Sequence, residues 1–372
     1  MDVLKELRHR TGAPIVDCKK AIQEAQKMAS NNTTSAETDN NNNNTDVLFP
    51  LALDWLRSHG ATKATTKVAG RTTTQGLVGL QIAPDGRHAA LVHVASETDF
   101  AALSTTFVQL VQTIVTTAYS ASADRSSATT TPPILTDTAR SFRETLLQLP
   151  VTATKTTEGT DNTNNTHDDH RTNPTVRDCL QDAIVAIREN ISIAAALPLP
   201  PYAITTNNDN DADSNNGVYA GYVHNKVDVQ NNNDNTNVTA GTAAAIVLLV
   251  PTTDTTTQSK HPLTRAEIQD LGKQLAMHIV AAKPLYLSVD DIPADVLDKE
   301  RDILQQQLQN DPNNAKKPPH IIDMIVQGKL QKYYEGVVLL EQPHMIVDDH
   351  PKIQTHLQHH GVRLQRYEYR TI

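Results

Sequence analysis

Tracts dominated by Asn, Asp and Thr, at 30–46, 152–173, 205–216 and 228–239, interrupt this 372-residue sequence four times. Such tracts can bury almost no apolar surface and are expected to be disordered loops, so the fold must be built from the segments between them. Sequons within them, such as Asn32-Thr33-Thr34 and Asn237-Val238-Thr239, arise by chance in this composition. No secretory signal precedes them, so glycosylation is not expected. Against 33 Lys and Arg stand 42 Asp and Glu, a net charge of −9. That balance lacks the positive field that favours nucleic acid or an anionic membrane surface, and neither is expected as a partner. No run of about 18 apolar residues spans a bilayer. Cys18 and Cys179 are the only cysteines, too few for a cysteine-rich zinc site or a disulfide framework. The opening Met1-Asp2-Val3-Leu4 reads as neither a signal nor a transit peptide. The protein therefore stays where it is made, or its sequence lacks a presequence.

The remaining segments are strongly patterned. Val3, Leu4 and Leu7 predict a short amphipathic helix, broken at Thr11-Gly12. Pro14 suits the first turn of a second helix carrying Ile15, Cys18, Ile22 and Ala25 on one face. Leu51, Trp55 and Leu56 predict a third, with Gly60 as its C-cap. None is stable alone, so the three are expected to bundle. A strand–strand–helix pattern then occurs twice. Residues 76–82 and 88–95 flank the turn Pro84-Asp85-Gly86, and a helix follows at 101–118. Residues 218–224 and 243–250 again read as strands, followed by a helix at 264–282. A helix at 175–190 lies between the copies, and helices at 294–309 and 319–334 and a strand at 362–369 complete the chain. The expected class is α+β: a three-helix module over 1–62 with its Asn-rich insert, then two related subdomains with antiparallel sheets, over 63–200 and 201–372.

Catalytic and cofactor signatures are missing. No phosphate loop exists, since Gly272-Lys273 and Gly328-Lys329 lack both the upstream glycine and the following hydroxyl. Asn225-Lys226-Val227-Asp228 matches the guanine-reading N-K-x-D tetrad, but without a phosphate loop it reads as a decoy. His167-Asp168-Asp169-His170 offers ligand types without the supporting shell a metal needs, and His356, His359 and His360 read as solvated surface. No metal or cofactor is expected, and an enzyme would require two catalytic groups brought together by the fold.

Two segments are similar to signatures of the elongation factor Ts family. One is Leu7-Arg8-His9-Arg10-Thr11-Gly12-Ala13-Pro14-Ile15-Val16-Asp17-Cys18-Lys19-Lys20-Ala21-Ile22; the other is Glu97-Thr98-Asp99-Phe100. Shorter matches follow in family order, among them Glu189-Asn190-Ile191, Tyr222-Val223-His224, Ala276-Met277-His278-Ile279 and Leu339-Leu340-Glu341-Gln342-Pro343. The chain departs from the family at Pro14, where glycine is usual, at Ile15-Val16, often a methionine pair, and at Ala101-Ala102-Leu103 after the second signature.

The resemblance implies an exchange factor that grips elongation factor Tu in its GDP-bound and nucleotide-free forms. It implies a ubiquitin-associated-like N-terminal module whose Arg8, Ile15, Val16 and Lys19 meet the partner's GTPase domain. Thr98, Asp99 and Phe100 would reach the nucleotide side, with Phe100 wedged between partner helices and the loop disturbing the Mg²⁺ site. His278 would mark a second contact, with the partner's third domain. Two bland readings compete: Phe100 as a core aromatic with Asp99 as N-cap, and the N-terminal bundle as a ubiquitin-binding module. Asn-rich inserts suggest a eukaryotic nuclear gene. With a bacterial-type partner, that places the protein in a mitochondrion, or alternatively a plastid.

Overall fold

A computed structural model describes residues 3–11, 13–31, 48–56, 71–123, 135–151, 174–202, 217–228, 237–252, 263–310 and 318–372. The tract at 152–173 with its His167–His170 run, the tract at 205–216, most of the other two, and Gly12 and Gly60 lie outside the described residues. Three helices open the chain: α1 (Val3–Thr11), α2 (Ile15–Asn31) and α3 (48–56). Leu7, Cys18, Ala21, Ala25, Ala52 and Leu56 form their shared core, with Leu4, Ile22, Leu51 and Trp55 packed against it; Ile15, expected on the same face, is exposed instead. This bundle is not detached. Val185, on α7 (Val176–Ile187), packs against the same cluster.

The core is four layers deep. One sheet has strand order β3-β2-β1-β5, from β1 (Gln75–Ile82), β2 (Ala89–Ser96), β3 (Ser192–Leu199) and β5 (Thr239–Gly241). The other is β4-β6-β7, from β4 (Val218–His224), β6 (Ala243–Pro251) and β7 (Val362–Thr371). Every named pairing is antiparallel. The sheets meet face to face through Val78, Leu80, Leu91, Leu197, Ile246 and Leu248. Their outer faces carry helices. α5 (Thr105–Ala123), α6 (Leu135–Gln148) and α7 cover the first, while α8 (Arg265–Ala282) and α11 (Ile353–His359) cover the second. A strand sandwiched in this way needs apolar side chains on both faces, which is why β6 reads as the near-continuous run Ala-Ala-Ala-Ile-Val-Leu-Leu-Val. α9 (Ala294–Asn310) and α10 (Pro319–Val337) form a hairpin with its own small core around Leu304, Leu308, Val326 and Leu330.

Three expectations need correction. Val238 is buried and Thr239 begins β5, so the fourth polar tract ends inside the fold rather than in a loop. β5 pairs with β1, so a strand from the second half of the chain completes the sheet of the first, across the division expected near residue 200. The helix expected over 101–118 is two helices, a short α4 (Asp99–Ala102) and then α5, separated at Leu103-Ser104.

Close helix–sheet approach explains Gly272. A Cβ there would lie 2.5 Å from Ala220 Cβ and 3.1 Å from Val247 Cγ2, so α8 could not rest on β4. Gly328 on α10 has nothing within 4 Å of such a Cβ. Gly272→Ala should therefore lose stability by roughly 1–2 kcal/mol, overpacking outweighing the helix-propensity gain. Gly328→Ala should gain up to about 1 kcal/mol. Denaturant titration of the two variants checks the contrast, and a stabilised Gly272→Ala would contradict the tight seat of α8.

Candidate functional site

The second signature lies where β2 leaves the sheet. Ser96 Oγ donates to the Thr98 carbonyl at 3.1 Å. Thr98 is extended (φ −124°, ψ 156°) and N-caps α4, its hydroxyl accepting from Ala101 N at 3.2 Å. Asp99 is thus not the cap; its carboxylate accepts from the adjacent Phe100 N at 2.9 Å. Ala101 and Ala102 pin the inner side of α4 into the core. Phe100 and Leu103 point the other way, 85% and 60% exposed. Phe107, seven residues on, is fully buried. Burying a Phe side chain is worth about 1.5–3 kcal/mol, and Phe100 leaves most of that unrealised in this chain. The core reading of Phe100 fails on this point.

A second segment holds the loop from behind. α7 ends at Arg188, a left-handed C-cap with φ 66°. The turn this produces delivers Glu189 and Asn190 to the signature. Glu189 accepts from Thr98 N at 3.0 Å and from Thr98 Oγ1 at 2.6 Å. Glu97 in return accepts from Asn190 N at 2.7 Å. Asn190 Nδ2 donates to the Arg71 carbonyl at 3.0 Å, and the Arg71 guanidinium lies 3.3 Å from Glu97. Two carboxylates therefore cross, each receiving the other segment's backbone N–H. Nothing in the spacing of Glu189 pointed to this role, because its partner lies 91 residues away.

The four N-terminal candidates are all exposed. Ile15 and Val16 are 42% and 63% exposed, and Arg8 and Lys19 are also exposed. Cys18 is buried beneath them. His278 differs. It is 1% exposed, so it cannot itself touch a partner, and the contact expected of it is corrected to a supporting one. Its Nδ1 accepts from Met345 N at 3.2 Å, which makes Nε2 the protonated nitrogen, and Nε2 donates to Gln342 Oε1 at 2.8 Å. Gln342 Nε2 passes the chain on to the Gly336 carbonyl at 3.2 Å. His278 thereby anchors the loop that presents Met345 and Ile346, 54% and 43% exposed. Leu285, 68% exposed, stands just beyond the C-cap of α8. Sequence reasoning missed these three apolar side chains; the Gln342-Pro343 match beside them was the available signal.

The remaining motifs resolve structurally. Asn225 takes φ 48° in the turn after β4, and Val227 N donates to the Ala240 carbonyl, so the N-K-x-D tetrad is a sheet corner. His356 and His360 are half-buried rather than solvated, their rings edge to face at 4.7 Å. His344 sits between His278 and His356, with ring centroids at 5.4 and 5.6 Å. Among the described residues no His, Cys, Asp or Glu group could hold a metal ion, and no helix is long and apolar enough to cross a membrane. A groove between α3, α5 and α7 is mainly apolar, lined by residues such as Leu53, Leu56, Leu110 and Ala183.

An α+β scaffold that holds an exposed aromatic on a tied-down loop, with Leu285, Met345 and Ile346 exposed elsewhere, is a docking protein in its chemistry. The family described as Elongation factor TS matches residues 97–371. Proteins called Elongation factor Ts align over nearly the whole chain. That of Rhodospirillum centenum is 30% identical over 96% of this chain and 86% of its own length. Those of Lawsonia intracellularis and Rhizobium etli are each 29% identical, over 92% and 93% of this chain and 86% and 82% of their own. The chain belongs to the elongation factor Ts family, and with that membership comes the role of a nucleotide exchange factor in translation elongation.

Burial favours the neutral form of several histidines, His278 and His344 among them. The His278 pKa is lowered by desolvation, partly opposed by its bond to Gln342. That of His344 is pushed down to about 4 by burial, and further by His278, His356 and His350. Below pH 6.5 the unfolded chain takes up protons that these folded rings refuse, so stability falls as the pH drops, for His344 down to about 4. Each contributes up to about 1.4 kcal/mol per pH unit. Glu368 acts in the opposite sense, because burial raises its carboxyl pKa. Comparison with His344→Phe isolates the histidine: denaturant melts between pH 7 and 5 should show a shallower loss in the variant. An equally steep loss would contradict a buried neutral His344.

Proposed function

We propose that this chain binds elongation factor Tu and releases its GDP by inserting Phe100 into the partner, without itself making or breaking a covalent bond. The observation that carries the reading is the exposure of Phe100 on a loop fixed at both ends. A flexible loop would lose conformational freedom on docking, whereas an anchored one has lost it beforehand. Once the ring is seated, the adjacent loop displaces the groups that hold Mg²⁺ and the diphosphate. GDP affinity leans on that ion and on phosphate-binding backbone amides, so disturbing them speeds release. The factor needs only to bind the nucleotide-free form more tightly than the GDP form; that difference is the driving force.

In this reading Arg8, Ile15, Val16 and Lys19 dock the N-terminal module on the GTPase domain. Thr98 and Asp99 hold the wedge, and the surface of Leu285, Met345 and Ile346, supported by His278, makes the second contact. The division at 1–62, 63–200 and 201–372 belongs to the same proposal as a division of contact surfaces, not of sheets, since β5 of the third segment completes the sheet of the second. So does a mitochondrial setting, with a plastid as the alternative, which rests on the Asn-rich inserts and the bacterial-type partner.

Fluorescent GDP release from elongation factor Tu tests the reading. Catalytic amounts of the chain should accelerate release, and the pure chain should not turn over GTP. Phe100→Ala should melt almost normally, because an 85% exposed ring leaves no cavity when truncated. An aromatic seated in a partner pocket is worth about 2 kcal/mol or more, so release should slow roughly thirtyfold. A normal rate for Phe100→Ala would refute the wedge.

A further inference from the structure

We infer that Glu189 is a positioning residue for exchange: through Thr98 it sets the direction in which Phe100 leaves the surface. The inference rests on the wedge reading of Phe100 and adds to it the group that aims the wedge. Three observations carry it. Both Glu189 oxygens are spent on one residue, Thr98, at 3.0 and 2.6 Å. The same Thr98 hydroxyl accepts from Ala101 N at 3.2 Å, so it fixes the start of α4. A helix of four residues has too few internal hydrogen bonds to hold its own axis; burial of Ala101 and Ala102 fixes its inner side, and the cap at Thr98 fixes where it starts and how it is turned.

Glu189 also lies well placed for this. It follows the left-handed Arg188 cap of α7, whose Val185 packs into the N-terminal bundle. The helix that packs on the N-terminal bundle is thus followed directly by the residue that aims Phe100. Glu97 performs the converse service, holding Asn190 N and so keeping Glu189 in place.

A merely structural role and a positioning role separate in the kinetics. Partial unfolding lowers the active concentration, which raises the apparent half-saturating concentration of factor and leaves the maximal GDP-release rate alone. A misdirected Phe100 lowers the maximal rate, while the N-terminal module and the Met345 surface still dock. Glu189→Ala should lose about tenfold in maximal rate, the effect of two lost hydrogen bonds. Its half-saturation should change less than about twofold. In a Phe100→Ala background the same substitution should cost less than about twofold, because there is no ring left to aim. Glu189→Gln, which keeps one carbonyl oxygen, should fall between wild type and Glu189→Ala. Amide exchange of Thr98 in the free protein reads the clasp without any partner, and should quicken in Glu189→Ala. An unchanged maximal rate in Glu189→Ala overturns the proposal, as does an undiminished loss in the Phe100→Ala background. If the wild-type chain fails to release GDP, the wedge reading and this proposal fall together. Quickened Thr98 exchange with normal GDP release defeats the positioning role alone.

Discussion

Val78, Leu80 and Leu91 of one sheet meet Ile246 and Leu248 of the other with no helix between them, and the arrangement of everything else follows from that contact. Because the inner faces are occupied by each other, the helices must lie outside, α5 to α7 on one side and α8 with α11 on the other. β5 strengthens the join, since it leaves the second half of the chain to pair with β1. The hairpin turn at Pro84–Gly86 adds polar ties. Arg265 Nη1 donates to the Asp85 carbonyl at 3.0 Å, and Tyr219 N to the Gly86 carbonyl at 2.7 Å. The two sheets therefore behave as one support, and surfaces at either end keep a fixed separation.

Function is placed at the margins of that support. α7 bridges the N-terminal bundle, through Val185, and the Phe100 loop, through the residues just after its C-cap. The C-terminal end of α8 carries the other surface, with buried His278 joining helix, Gln342 and the Met345 loop. In both places a buried or tied polar side chain holds exposed apolar ones in position. Exposed apolar side chains cost little while they stay few and separate; gathered at a rigid edge, they mark a docking surface.

Much of this was legible in the sequence, for identifiable reasons. Helix stripes such as Cys18, Ile22 and Ala25 repeat over two turns, and the turn at Pro84-Asp85-Gly86 has local chemistry. β3 was missed. Its Ser-Ile-Ala-Ala-Ala-Leu-Pro-Leu lacks β-branched residues after Ile193 and carries a proline, a composition that suits an edge strand but resembles a linker. β5 was missed because three residues at the end of a polar tract show no period. The orientation of Phe100 was out of reach of periodicity altogether. In one continuous helix Phe100 and Phe107, seven apart, would share a face; the break at Leu103-Ser104 sends one outward and the other into the core. Short motifs marked His278, but only the packing shows that it is buried and holds the loop of exposed Met345 and Ile346 from below.

The central claim is that Phe100 enters the partner while GDP is absent. Replacing Phe100 with photoreactive benzoylphenylalanine and irradiating the protein with nucleotide-free elongation factor Tu tests it most directly. The account predicts a crosslink that fades as GDP is added back, because GDP and the inserted ring favour opposite states of the partner. A crosslink indifferent to GDP, or none from position 100 while one forms from position 328 on the exposed face of α10, would contradict it.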